Sequence, residues 1–93
     1  MNYIETIDRM NEILLEAHQY DTIRLINNAK VKGGGSSGEV LAIICSLLKV
    51  YEKRFPEIFT LIKKEAKILY SISKKIGMKI KPDFDLLEDL DWA

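Results

Sequence analysis

The sequence contains one cysteine, Cys45, one histidine, His18, and only two prolines among 93 residues. A single cysteine cannot form an internal disulfide, and these two side chains are too few for a zinc-type ligand set. The sequence therefore indicates no metal site and no cofactor. Because nothing calls for an oxidising environment, the expected compartment is the cytoplasm.

Net charge and long apolar runs are also absent. Fourteen Lys and Arg residues balance fourteen Asp and Glu residues, so no overall charge favours nucleic acid or an anionic membrane. The longest nearly apolar run, 40–48, is much shorter than the roughly 20 residues of a membrane-spanning helix. The first residues lack the basic flank and apolar stretch of a signal peptide. We therefore expect no transmembrane segment and no secretory signal.

Glycine is scarce and concentrated, because four of the five glycines lie in the segment Gly33–Gly38. A Gly/Ser run of this kind is typical of an engineered linker. It also suits a natural turn between helices, with Gly33 as a left-handed cap and Ser36 with Glu39 as a capping box. Both origins stay open, and either one makes this segment a break between two elements.

Apolar residues recur with the helical period in four segments, and no segment alternates like a strand except 78–82, which Pro82 limits. Asp21 is the predicted cap of the second helix, Pro56 the first residue of the fourth, and Gly77 its end. The third helix should be central, because apolar residues surround most of it. The sequence predicts an all-α four-helix bundle with helices at 3–19, 22–31, 38–54 and 56–76.

Charge is segregated along the chain although it cancels overall. Residues 1–32 carry five acids and four bases, residues 39–81 carry four acids and ten bases, and residues 83–93 carry five acids and no base. We therefore divide the chain into a bundle domain, 1–82, and an acidic tail, 83–93, that also contains aromatic residues.

The tail has two interpretations. It docks on its own bundle, with the lysine-rich face of the fourth helix as the nearest complementary surface, or it binds another protein through aromatic anchors such as Trp92. In the second interpretation the predicted partner-binding residues are Phe84, Asp85, Leu87, Glu88, Asp89, Leu90, Asp91 and Trp92.

The fourth helix presents lysines on one side, and Lys63, Lys67 and Lys74 suggest an alternative function as a small regulator that contacts nucleic-acid phosphates. The face lacks arginine and any groove-reading motif, which favours an ordinary solvated helix surface. The apolar arc spans about 200°, twice the roughly 100° that a surface helix needs. Either the tail or a second copy in a homodimer should cover the excess.

Glu65 lies at the centre of that apolar arc, where an unpaired carboxylate is costly. A partner inside the bundle, with Tyr51, Tyr70 and Arg54 as candidates, or contact with another protein would explain its position. No set of nucleophile, base and orienting group is visible, and a non-enzymatic protein is predicted. His18 is interpreted as a helix-end residue with one hydrogen bond, and Cys45 as a buried, unreactive thiol.

Two resemblances add to this interpretation. Residues 14–21, followed by Ile23, Ile26 and Ala29, resemble the turn between the helices of a tetratricopeptide repeat, but the pattern does not recur, which indicates a single helical hairpin. The layout of a small cytosolic bundle with an acidic, aromatic tail is similar to small bacterial immunity proteins, including those that protect against bacteriocins. That similarity implies a protein that works by binding a toxin or receptor, with the tail and last helix as the contact surface.

Overall fold

The computed structural model describes residues 2–92, so Met1 of the predicted domain and Ala93 of the predicted tail lie outside the described residues. Four long helices follow one another along the chain: α1 Tyr3–Glu16, α2 Tyr20–Gly33, α3 Ser37–Arg54 and α4 Pro56–Lys75. A single short turn of helix, α5 Leu86–Asp89, lies in the tail. No strand occurs within residues 2–92, and the predicted all-α bundle is confirmed.

Local signals explain where most helices begin. The Asn2 side chain accepts a hydrogen bond from the Glu5 N–H at 2.9 Å and caps α1. Ser36 accepts one from the Glu39 N–H at 3.4 Å and caps α3, as predicted. Pro56 is the first residue of α4, also as predicted, because its missing N–H would lack a partner there anyway.

The turn between α1 and α2 differs from the prediction. α1 ends at Glu16 because His18 adopts a positive φ of 58°, a backbone conformation that stops the helix. α2 already begins at Tyr20, with Gln19 in the capping position and without a side-chain cap. Asp21 therefore lies inside the first turn, and its predicted role as the cap is wrong.

The glycines at the helix ends also differ in one place. Gly34, with φ 61°, takes the positive-φ position after α2, whereas Gly33 is the last helical residue, so the predicted cap is displaced by one residue. Gly77, with φ 82°, ends α4 as predicted. There the Met78 N–H donates to the Ser73 carbonyl at 3.0 Å, which satisfies a carbonyl of the last turn.

The four helices form a ring in which each helix packs against two others. The helices α1 and α3 each contact both α2 and α4. The hydroxyls of Thr22 and Tyr51 lie 3.1 Å apart, which joins the start of α2 to the end of α3. The side chains of Cys45 and Ser73 lie 3.2 Å apart, which joins α3 to the end of α4. These pairings make successive helices antiparallel, as in an up-and-down bundle.

The helix α3 lies deepest in the bundle, as its sequence predicts. Its buried residues outnumber those of every other described helix: Val40, Leu41, Ile44, Cys45, Leu47, Leu48, Val50 and Tyr51. The helix α4 covers one side of it and bends at Ile62, where φ is −119° and ψ is 15°. None of the described helices combines the length and the apolar character needed to cross a membrane.

The helices α2 and α3 approach each other closely at Gly33. A Cβ atom at this position would lie 2.4 Å from Val40 Cγ2 and 2.7 Å from the Val40 backbone. A Cβ at Gly35 would meet nothing within 4 Å. Glycine at 33 therefore permits the contact between α2 and α3, whereas glycine at 35 serves no such contact.

We expect Gly33→Ala to destabilise the protein by about 2 kcal/mol, because the added methyl group pushes against backbone atoms that cannot rotate away. Gly35→Ala, the matched control, should change the free energy of unfolding by less than about 0.5 kcal/mol. Urea denaturation followed by circular dichroism measures both. Equal stability of the two variants would contradict the close packing.

Candidate functional site: the C-terminal segment

The C-terminal segment, defined as residues 78–92, runs across the bundle from one end of α3 to the other. The Met78 side chain lies beside Gly38 at the start of α3, and the Arg54 guanidinium at its end lies 4.6 Å from the centre of the Phe84 ring. Leu86 is 4% exposed and Leu90 is completely buried in the same core as the helices. The segment therefore docks on its own bundle through apolar side chains.

Polar contacts join this segment to α2. They come from three side chains spaced four residues apart, here called the α2 row: Arg24, Asn28 and Lys32. Asn28 Nδ2 donates to the Leu90 carbonyl at 2.7 Å, Lys32 Nζ lies 3.9 Å from an Asp89 oxygen, and Arg24 donates to Asp91. The prediction that the lysine-rich face of the fourth helix receives the tail is wrong. Burial of Leu86 and Leu90 instead places the acidic side chains of the segment beside the basic α2 row.

The ion pairs of the α2 row are partly exposed, and this limits their energy. Lys32 and Asp89 are each about half exposed, and such pairs contribute roughly 0–1 kcal/mol. Hydrogen bonding to Asp91 raises the pKa of Arg24 above its usual value, so this guanidinium stays charged at every ordinary pH. Burial of Leu86 and Leu90 therefore provides most of the docking energy, and the ion pairs set the position of the segment.

The outer side of the segment combines aromatic and acidic side chains. Trp92 is 51% exposed and its indole N–H donates to the Asp89 carbonyl, while Phe84 is 37% exposed beneath Arg54. All but two of the predicted partner-binding residues are exposed: Phe84, Asp85, Glu88 and Trp92, together with Asp89 and Asp91, whose carboxylates pair with the α2 row. Leu87 is half-buried, and Leu90 is enclosed in the core and offers no surface in this conformation.

The α2 row belongs to this site and was not among the predicted residues. Its signal is the four-residue spacing of Arg24, Asn28 and Lys32, which places the three side chains on one face of a helix. That spacing alone does not identify which distant segment lies on the row, because the pairing depends on residues more than 60 positions away.

The other candidate residues lie apart from this segment. The Cys45 thiol is completely buried, and burial raises its pKa, so it stays protonated and is a poor nucleophile at neutral pH. His18 is exposed, and its Nδ1 lies 2.8 Å from the Tyr20 hydroxyl, which confirms a helix-end residue with one hydrogen bond. Among residues 2–92, no group of His, Cys, Asp or Glu side chains has the arrangement of a metal site.

None of the three predicted partners reaches Glu65, which is 5% exposed. The Tyr51 hydroxyl pairs with Thr22, and Arg54 lies over Phe84. The Tyr70 hydroxyl is enclosed without any hydrogen-bond partner among the described residues, and its ring carries the Lys49 ammonium 4.2 Å from the ring centre. Two polar groups on α4, the Glu65 carboxylate and the Tyr70 hydroxyl, therefore have no hydrogen-bond partner among the described residues.

Comparison with protein-family models, with curated proteins and with solved structures gives no match to this chain.

We expect Leu90→Ala to destabilise the protein by about 3 kcal/mol, because it removes a fully buried side chain and leaves a cavity. Leu15→Ala is the matched control, since Leu15 is 56% exposed, and its effect should stay below about 0.5 kcal/mol. Urea denaturation of the full chain measures both variants. A Leu90→Ala variant as stable as the control would show that the C-terminal segment does not belong to the core.

Tyr70→Phe should stabilise the protein by about 1 kcal/mol, because it removes an enclosed hydroxyl without a partner and keeps the ring beneath Lys49. Tyr3→Phe is the control and should have little effect, because the Tyr3 hydroxyl forms no hydrogen bond with the described residues and is not enclosed. Chemical denaturation at neutral pH compares the two. A destabilised Tyr70→Phe variant would indicate that the hydroxyl has a partner in solution.

The same buried groups predict a loss of stability at alkaline pH. Burial raises the pKa of Cys45, Tyr51 and Tyr70 in the folded state above the ordinary values of 9.0 for the thiol and 10.0 for the phenols. The contribution of these protonated groups to the free energy of unfolding is complete below the ordinary pKa values. It is lost as the pH rises through the pKa values of the folded state. The free energy of unfolding should fall above pH 9.0, and less steeply in Tyr70→Phe above pH 10.0.

Proposed function

We propose that this protein is a non-enzymatic interaction protein of the immunity or inhibitor type, which binds a basic protein partner through the outer side of its C-terminal segment. One observation carries the proposal. Two large aromatic side chains, Phe84 and Trp92, remain partly exposed among carboxylates on a segment that the bundle holds in place.

The fixed position of the segment supports binding. A partner that meets a docked segment does not have to order it, so less conformational entropy opposes association. Trp92 is further oriented by the hydrogen bond from its indole N–H to Asp89. Oriented aromatic side chains of this kind frequently supply most of the binding energy of an interface.

The charges of the segment support a basic partner. Asp89 and Asp91 form ion pairs with the α2 row. Asp85 and Glu88 are exposed and form no ion pair with residues 2–92. Carboxylates without a cation in the same molecule attract a positively charged surface and accelerate association with it. The resemblance to bacterial immunity proteins agrees with this proposal, because those proteins also act by binding.

The test compares the wild-type chain with variants of the exposed side. A protein captured by the immobilised wild type is identified, purified and titrated with each variant. Trp92→Ala and Glu88→Lys should each weaken binding by about tenfold or more. Two controls on α1 should bind normally: Ile4→Ala, since Ile4 is 51% exposed like Trp92, and Asp8→Lys for the charge change. Circular dichroism confirms that every variant is folded.

Two results would contradict the proposal. If all variants bind the captured protein equally, the C-terminal segment is not the contact surface. If the wild type captures nucleic acid and Lys67→Glu abolishes this, the lysine face of α4 is the functional surface instead. That alternative is supported by the exposure of Lys63, Lys67 and Lys74, none of which forms an ion pair within residues 2–92.

A further inference from the structure

The helix α4 carries two rows of residues with the alternating spacing of three and four by which helices pair. The first row is buried in the bundle and consists of Ile62, Ala66, Leu69 and Ser73. The second row is displaced by one residue and consists of Leu61, Glu65, Ile68 and Ile72. The bundle covers the second row only in part, because Leu61 is 43% exposed and Ile68 and Ile72 are half-buried.

The second row faces α1 and the surface beside it. Tyr70 faces α3, since its ring carries the Lys49 ammonium, and the second row lies on the opposite side of α4 from Tyr70. The C-terminal segment does not cover it, because the polar contacts of that segment are with the α2 row and with Arg54 of α3.

Glu65, at the centre of the second row, lacks a partner. It is 5% exposed and forms no hydrogen bond or ion pair with the described residues. Within residues 2–92, the fully enclosed side-chain atoms without a partner are Asn11 Oδ1 and Tyr70 Oη. The Glu65 oxygens are not among them and therefore keep a small opening to the surface. A nearly buried carboxylate without a cation or donor is costly, and the opening allows one to reach it from outside.

The two borders of the second row carry opposite charge. On α4 the border is mainly basic: it carries Lys64, Lys67 and Lys75, with Glu57 in the first turn, all exposed. On α1, the hydrogen bond from Asn11 to Asn27 places α2 on one side of that helix, so the opposite side borders α4. The exposed residues that follow on that side are Glu5, Glu12 and Glu16, with Arg9 among them. None of these residues forms an ion pair within the described chain.

We propose that this face binds a second copy of the same chain, with the two-fold axis running along α4. Such an axis exchanges the two borders, so the acidic border of α1 in one copy meets the basic border of α4 in the other. Lys64 lies on the basic border, and Glu65 lies on the side of the row that is nearer to α1. The same rotation therefore brings Lys64 of one copy to Glu65 of the other. An axis across the row would instead bring acids against acids and lysines against lysines.

The dimer is independent of the proposed binding function. The C-terminal segment lies on α2 and α3, whereas the second row lies on α4 beside α1. The outer side of the segment therefore stays accessible in both copies. Failure of the partner-binding proposal would leave the dimer untouched, and a monomeric protein would leave partner binding untouched.

Sedimentation equilibrium of the full chain over a range of concentrations tests the dimer. We expect the mass to rise from 10.7 kDa toward twice that value. Ile68→Asp should abolish the increase, and Leu15→Asp, on the α2 side of α1, should not. Lys64→Glu should weaken the dimer by about tenfold or more, and the double variant Lys64→Glu/Glu65→Lys should recover it. Circular dichroism checks the folding of each variant.

A wild-type chain that stays monomeric at every concentration would overturn the proposal. A dimer that tolerates Ile68→Asp would also overturn it, because the contact would then lie elsewhere. The recovery by the double variant separates a direct ion pair from a general effect of charge.

Cysteine cross-linking tests the direction of the axis. In the proposed dimer, residues of the second row lie opposite their own counterparts, so Leu61→Cys and Ile72→Cys should each form a disulfide between identical copies. Cross-linking only in a mixture of the two variants would indicate antiparallel α4 helices and contradict the proposed axis. The native Cys45 is completely buried and does not compete.

Discussion

Burial of the apolar surface of α3 is the interaction on which the rest of the structure depends. This helix has eight buried residues distributed around most of its circumference, more than two flanking helices can cover. The helices α2 and α4 cover two sides, and the C-terminal segment crosses part of the remainder between Gly38 and Arg54. The acidic tail is therefore held by the same hydrophobic effect that assembles the bundle. Its leucines belong to the core, and its charges lie on the surface.

The C-terminal segment places its core-forming residues and its surface residues on different sides. Leu86 and Leu90, four residues apart, point into the bundle, whereas Phe84, Glu88 and Trp92, also four residues apart, lie on the outside. The short helix α5 contributes to this separation, because Leu86 and Glu88 lie on nearly opposite faces of it and Leu90 follows at its end on the side of Leu86. Phe84 and Trp92 lie outside α5. Docking the inner side thus fixes the orientation of the outer side, and a change in the leucines would also alter what the exposed side chains present.

The sequence predicts the features that depend on local chemistry. Helical periodicity identified four helices, and Ser36, Pro56 and Gly77 marked boundaries because each acts on its own backbone. The end of α1 was missed because His18 adopts a positive φ without being a glycine. The place of the tail was also missed, since it follows from packing between distant parts of the chain. The acidic tail is attracted to more than one basic surface, including the lysines of α4 and the α2 row. Burial of Leu86 and Leu90 decides which of these surfaces it contacts. The partner-binding role of the exposed tail residues stays a prediction.

The connection between α2 and α3 has a practical consequence. Gly33 packs directly against Val40, whereas Gly34 and Gly35 between them face open space. The helix α3 then starts with its own cap at Ser36. Extra residues placed between 34 and 36 would lengthen a solvent-exposed loop, and each doubling of loop length costs only about 0.6 kcal/mol in closure entropy. A reporter peptide or a protease recognition sequence could be inserted there to follow the protein in cells or to cut the bundle into two helical halves on demand.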